Sequence, residues 1–199
     1  MMKKIMMIAV LAAVALTVSA QKTLRSNGTF TLQPKVGIGI GILDGSWTSA
    51  PNVDNKTRVG FLAGVEGEYY VNNWLGVAAG LNYAQQGWKF KGGSVSETTK
   101  LDYLNIPITA NFYVIDGLAL KTGLQMGFLM SAKKEGNDIK DGCEKFNLSI
   151  PVGVSYEYAN FVLDARYNIS VTKVNKNSNA DNKYRSSLLQ FTIGYKFEL

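Results

Sequence analysis

Residues 160–171 read NFVLDARYNISV and place an acid and a base two positions apart in a segment otherwise built for a strand. Phe161, Leu163, Ala165, Tyr167, Ile169 and Val171 fall on one side, and Val162, Asp164, Arg166, Asn168 and Ser170 on the other. Strand side chains alternate between faces, so one face is apolar and the opposite one carries both charges. A soluble protein turns such an apolar face inward, whereas a membrane barrel turns it toward lipid. The choice between these orientations depends on the rest of the chain.

Seven other segments repeat the alternation. In residues 35–43, Val36, Ile38, Ile40 and Ile42 alternate with Gly37, Gly39 and Gly41. In 59–71, Val59, Phe61, Ala63, Val65, Tyr69 and Val71 oppose Gly60, Gly64, Glu66 and Glu68. Leu75, Val77, Ala79, Leu81 and Tyr83 follow the same rule, as do Leu104, Ile106, Ile108, Ala110 and Phe112. The remaining segments are 118–130, 146–158 and 188–199. Pro107 and Pro151 fall inside two of these strands, where the missing amide hydrogen predicts a bulge or local irregularity.

The connections alternate in length. Asn72 and Asn73, then Ile115, Asp116 and Gly117, then Tyr158, Ala159 and Asn160 form tight turns. Longer polar stretches lie near 43–58, 87–100, 131–145 and 172–187. Short turns at one end and long loops at the other describe an all-β, eight-stranded antiparallel up-and-down transmembrane β-barrel. Each segment is about the 9 to 11 residues that a tilted spanning strand needs. The aromatic residues Tyr69, Trp74, Phe112, Tyr156, Tyr158, Phe161, Tyr195 and Phe197 gather near the short-turn ends, where an interfacial girdle belongs.

The first twenty residues set the compartment. Lys3 and Lys4 precede an apolar run from Ile5 to Leu16, and small residues end at Ala20. This is the layout of a cleavable signal peptide over 1–20, leaving 21–199 as the barrel domain. The apolar run is short for a spanning helix. The expected location is the bacterial outer membrane, and an even strand number puts both termini in the periplasm. Outer-membrane lipid and lipopolysaccharide are then the surroundings, the barrel-assembly machinery is the partner during biogenesis, and the external loops are open to a further partner.

A net charge of +6 would ordinarily raise nucleic-acid binding. Export argues against it, and two of the lysines leave with the signal. The chain has no histidine and a single cysteine, Cys143, so no intramolecular disulfide can form. Without histidine, and without a nucleophile paired to a base, enzymatic chemistry is disfavoured, and no cofactor is expected. Asp138 and Asp141 fix no metal geometry.

If the apolar face meets lipid, Asp164 and Arg166 point into the lumen. Lys35, Glu66, Glu68, Lys121, Glu157, Lys196 and Glu198 share their parity and lie toward the short-turn half of their strands. Uncompensated charge is costly to bury, so these nine residues are expected to form a mixed network. An eight-stranded barrel has room only for side chains, which favours a structural filling over an ion path. The expected role is therefore structural, or surface interaction through the long loops. A narrow channel for ions or small solutes is the alternative, and a soluble lipocalin-like binder would need the faces reversed.

LDYLNIPITANFY (101–113), GLQMGFLMSAKK (123–134), IPVGVSYEY (150–158) and NFVLDARYNIS (160–170), in this order and spacing, resemble the PorT-type outer-membrane β-barrel family of Bacteroidetes. The resemblance covers nearly the whole mature chain. It implies an outer-membrane barrel, often labelled porin-like, in a bacterium of that group, without implying transport or a part in protein secretion.

Overall fold

The computed structural model describes residues 27–44, 54–92, 95–172 and 185–199. The expected signal peptide lies outside these residues, as does most of two of the long loops. Strands β1 (Phe30–Asp44), β2 (Asp54–Asn72), β3 (Leu75–Gly92), β4 (Val95–Ile115) and β5 (Leu118–Lys134) come first. A two-residue β6 (Asn137–Asp138) and a 3₁₀ turn at Lys140–Gly142 follow. Then come β7 (Phe146–Tyr158), β8 (Phe161–Ser170), β9 (Arg185–Tyr195) and a two-residue β10 (Phe197–Glu198).

All pairings are antiparallel between chain neighbours, and β1 closes the sheet by pairing with both β2 and β9. The barrel has eight staves. β6 pairs only with β5 and belongs to the loop. β10 continues β9 in one register, since Lys35 faces Gly194 and Leu32 faces Phe197. The residue between them, Lys196, falls opposite Gln33, next to Pro34, which has no amide hydrogen to give.

Of the bulge or local irregularity expected at the two prolines, the milder one occurs. Pairing of β3 with β4 skips from Ala79–Ile108 to Asn82–Asn105, across Pro107, and the register is unchanged. Pairing of β5 with β7 skips from Thr122–Val152 to Gln125–Ser149, across Pro151, again without a shift. In an antiparallel ladder a residue's N–H and C=O point at the same neighbour, so a proline weakens one side only. Pro107 remains paired to Gln125, and Pro151 to Asn168. The register shifts lie elsewhere, in β2 between Thr57 and Leu62 and between Tyr70 and Asn72, and in β4 between Asp102 and Tyr103 and between Tyr113 and Ile115.

The turns follow their residue types. Asn72 Oδ1 accepts from the amides of Trp74 and Leu75 at 3.0 and 2.8 Å. Ala159 and Asn160 both have positive φ, 48° and 68°, as the tight hairpin between β7 and β8 requires.

At the loop end, the strands are longer than the hydrophobic alternation predicts. β2, β3, β4 and β5 have 19, 18, 21 and 17 residues, against 10 in β8 and 11 in β9. Much of the polar stretch 87–100 is thus paired strand rather than open loop. Once above the apolar band a strand no longer needs lipid-facing side chains, and its Thr, Ser and aromatic residues still favour pairing. At about 3.3 Å per residue, roughly eight extra residues lengthen these strands by some 25 Å on average along their own tilted axes.

The apolar face points outward on every stave. Phe61, Leu81, Leu124, Val152, Leu163 and Phe191 are each exposed by 44% or more. That much aliphatic and aromatic surface on all sides is suited to hydrocarbon and not to water. The girdle is present at the short-turn end, with Trp74 stacked on Phe112 and Tyr195 packed against both Phe161 and Phe197. Among the described residues the inward face is mostly polar, unlike the apolar interior of a lipocalin.

Candidate functional site

The inward parity of β1, β2, β5, β7, β8 and β9 brings charged side chains into the lower lumen in two layers. Glu66 centres the first. Lys35 Nζ donates to its Oε2 at 2.6 Å, Lys121 Nζ to its Oε1 at 3.3 Å, and Arg166 Nη2 reaches both oxygens at 3.0 and 2.9 Å. Arg166 also grips Asp164 with a two-pronged contact, Nε to Oδ1 at 2.9 Å and Nη2 to Oδ2 at 2.8 Å. Lys121 Nζ closes the ring on Asp164 at 2.9 Å. The planar guanidinium suits this work because its fork matches a carboxylate.

Lys196 centres the second layer, nearer the short turns. Its Nζ lies 3.0 Å from Glu68, 2.9 Å from Glu157, 2.8 Å from the Tyr70 hydroxyl and 3.3 Å from the Tyr113 hydroxyl. It also sits 5.4 and 5.8 Å from the two tyrosine ring centres, within cation–π range. Glu68 Oε1 accepts from Asn111 Nδ2 and from the Tyr113 hydroxyl, both at 2.8 Å.

The charge count is balanced. Among the described residues the buried cations are Lys35, Lys121, Arg166 and Lys196, and the buried anions are Glu66, Glu68, Glu157 and Asp164. The first layer holds three cations and two anions, the second one cation and two anions. Each layer thus carries one uncompensated charge of opposite sign to the other. Glu66 and Glu68 are two residues apart on β2, so the layers are separated by about 7 Å and neutralise one another. Space for these long side chains comes from small neighbours. A Cβ on Gly153 would lie 2.6 Å from Arg166 Cγ, and one on Gly76 would collide with the Glu68 carboxylate.

Eight of the nine expected lumen residues meet in this way; Glu198 does not. It shares parity with Lys196 but is exposed, registered with Thr31 at the open rim of the barrel. Parity gives the side of the sheet, but not whether the side chain is enclosed there. Conversely, the alternation contains Tyr70, Tyr113 and Asn111, which the charge pattern alone passes over. Tyr70 has the parity of Glu66 and Glu68, and that was the available signal.

Above the charges the lumen is filled by uncharged polar chains. Asn168 Nδ2 donates to Gln190 Oε1 at 3.2 Å, and Ser170 Oγ to Asn147 Oδ1 at 2.7 Å. Leu62, Ala84 and Leu188 then form an apolar layer inside the wall. A second apolar cluster at the loop end joins Leu101, Tyr103, Leu129 and Ala132 to Cys143, with Trp88 and Ile139 against it. No group of three or more metal-ligating side chains occurs among the described residues.

A closed eight-stave barrel with an apolar exterior, an aromatic girdle and a polar, filled interior is a membrane barrel of the outer-membrane class. The chain belongs to the outer membrane protein β-barrel domain family, whose sequence profile matches residues 19–176. No curated protein matches the chain. Among solved structures it is similar to Neisserial surface protein A, at 20% identity and TM-score 0.52, covering 84% of this chain and 97% of that one. It is also similar to Ail, the attachment invasion locus protein of Yersinia pestis, in complex with the heparin analogue sucrose octasulfate. There the identity is 19% and the TM-score 0.51, over 86% of this chain and 99% of that one. These likenesses show a shared fold.

Proposed function

We propose that the protein is a non-conducting outer-membrane barrel that serves as a rigid platform for surface interaction at its loop end. The observation that carries this reading is the filled lumen. Two interlocked charge layers close the short-turn half, and the Leu62, Ala84 and Leu188 layer lies above them. Mixed signs are unsuited to single-sign ion selection, and an eight-stranded interior has no width to spare. The extended β2–β5 wall supports a role outside the membrane, since length beyond the lipid band does nothing for spanning.

In this reading the signal over 1–20 is removed, the barrel-assembly machinery inserts 21–199, and both termini face the periplasm. The likeness of four segments to PorT-type barrels of Bacteroidetes supports a source in that group. Glu66, Asp164, Arg166, Lys35 and Lys121, with Lys196, Glu68 and Glu157, serve as a structural plug. Planar-bilayer recording of the refolded protein tests the proposal: the expected record is silent, and reproducible unitary conductance steps that change in Arg166→Gln would establish a channel instead.

A further inference from the structure

The outer wall at the loop end carries a row of cations directly above the apolar band. Lys100 on β4 faces Lys133 on β5, and Gly87 on β3 faces Lys100 from the other side. Thr57 pairs with Trp88, so Arg58 comes to the flank of Gly87. Arg58, Thr98, Lys100, Lys133, Glu135 and Gly136 line an open cavity of about 550 Å³. Gly87, with φ 134°, lets the backbones of β3 and β4 approach closely here, since a Cβ would meet the Thr99 carbonyl oxygen.

This is an unfavourable arrangement if left alone. Like charges directly opposite on neighbouring strands repel. Within the described residues no salt bridge engages Arg58, Lys100 or Lys133. The nearby acids are partly committed: Glu135 Oε1 accepts from the Thr98 amide at 2.6 Å, and Asp138 Oδ1 from the Lys140 amide at 2.8 Å. Asp102 faces outward one step below Lys100 and is half-buried. Arg58 spends one nitrogen on the Gln86 carbonyl at 2.6 Å, and the guanidinium keeps further donors for a ligand.

The level of the row identifies the ligand class. Val59, adjacent to Arg58, is 60% exposed, Met130 is 54% exposed, and Phe128 below it 42%. A phosphate held by the row would therefore have its own acyl chains alongside apolar strand surface. We infer that this cleft binds the phosphorylated sugar headgroup of an outer-leaflet glycolipid. The inference rests on the proposed orientation, in which the loop end faces out.

The test uses folded protein in phosphatidylcholine nanodiscs doped with diphosphoryl lipid A or with its dephosphorylated form. Lipid retained per protein after exchange into detergent is measured by native mass spectrometry. Retention of the diphosphoryl form alone is expected. It should fall about fivefold in Arg58→Gln and roughly thirtyfold in Lys100→Gln/Lys133→Gln, at about fivefold per charge near an anionic surface. Lys145→Gln, exposed but outside the cleft, should retain it fully. Heat-dependent gel mobility establishes that each variant is folded. Equal retention of both lipids, or retention unchanged in the double variant, overturns the inference. So does variant-sensitive binding of soluble heparin without lipid A retention, which would make the cleft a site for a soluble polyanion. Labelling of Lys145→Cys, exposed and outside the cleft, in a Cys143→Ala background, by a membrane-impermeant maleimide on intact cells checks the orientation separately; no labelling overturns the orientation itself.

Discussion

Replacing Glu66 by Gln removes one charge and leaves the volume nearly unchanged. The wild-type carboxylate accepts from Lys35, Lys121 and Arg166 at distances between 2.6 and 3.3 Å, with all four side chains almost fully buried. In Glu66→Gln these three cations share Asp164 alone, so the layer goes from one excess positive charge to two. Breaking a buried ion pair by removing one partner costs about 3–5 kcal/mol, because the survivor is left in a medium that solvates it poorly. Lys35→Met in addition restores the original excess, since Lys121 and Arg166 then face Asp164. The double variant should therefore cost less than the sum of the two single changes, by about 1–3 kcal/mol. The assay is urea unfolding in phospholipid vesicles, followed by the fluorescence of the chain's three tryptophans. A loss below about 1 kcal/mol for Glu66→Gln, or strict additivity with Lys35→Met, would refute the claim that the layer works as one neutralised unit.

Other consequences are simpler. Tyr113→Phe removes the hydroxyl that donates to Glu68 at 2.8 Å, and should cost about 1.5–3 kcal/mol in the same unfolding experiment, as hydrogen bonds to charged groups do. Leu124→Arg puts a charge on the outward face in mid-strand, where the side chain is 54% exposed to lipid, and should cost about 2–4 kcal/mol. Thr122→Arg, also outward but one pair of residues closer to the short turns, should cost less, since the penalty falls with distance from the midplane. Cys143, buried against Leu101 and Tyr103, should react with a soluble maleimide far more slowly in the folded protein than in urea.

The two-residue period was enough to separate lipid-facing from lumen-facing side chains. The reason is physical: lipid tolerates only apolar groups on the outside, and a narrow lumen only small or paired ones inside, so each selects a different composition. Residues 160–171 carry both selections in one segment. The signal fades where either constraint ends. Beyond the lipid band, β2–β5 continue through polar residues with no alternation to mark them as strand. Glu198 has the parity of Lys196 yet is exposed, because parity assigns a side and not enclosure. Pro107 and Pro151 signal a bulge or local irregularity because each lacks a donor, and sequence does not reveal that the other neighbour holds the register. Tyr70 and Tyr113 carry no charge, so the charge pattern passes over them; their inward parity assigns them to the lumen.

The orientation of the two faces underlies the membrane location and the closed lumen, and β8 tests it most directly. Single cysteines at residues 162–169, in a Cys143→Ala background, carry a nitroxide in protein refolded into vesicles, and their access to dissolved oxygen and to an aqueous nickel complex is measured by electron paramagnetic resonance. Positions 163, 165, 167 and 169 should show high oxygen access and low nickel access, while 162, 164, 166 and 168 should be shielded from both. High nickel access at the even positions would reveal a water-filled lumen, and high oxygen access at the even positions instead of the odd ones would turn the barrel inside out.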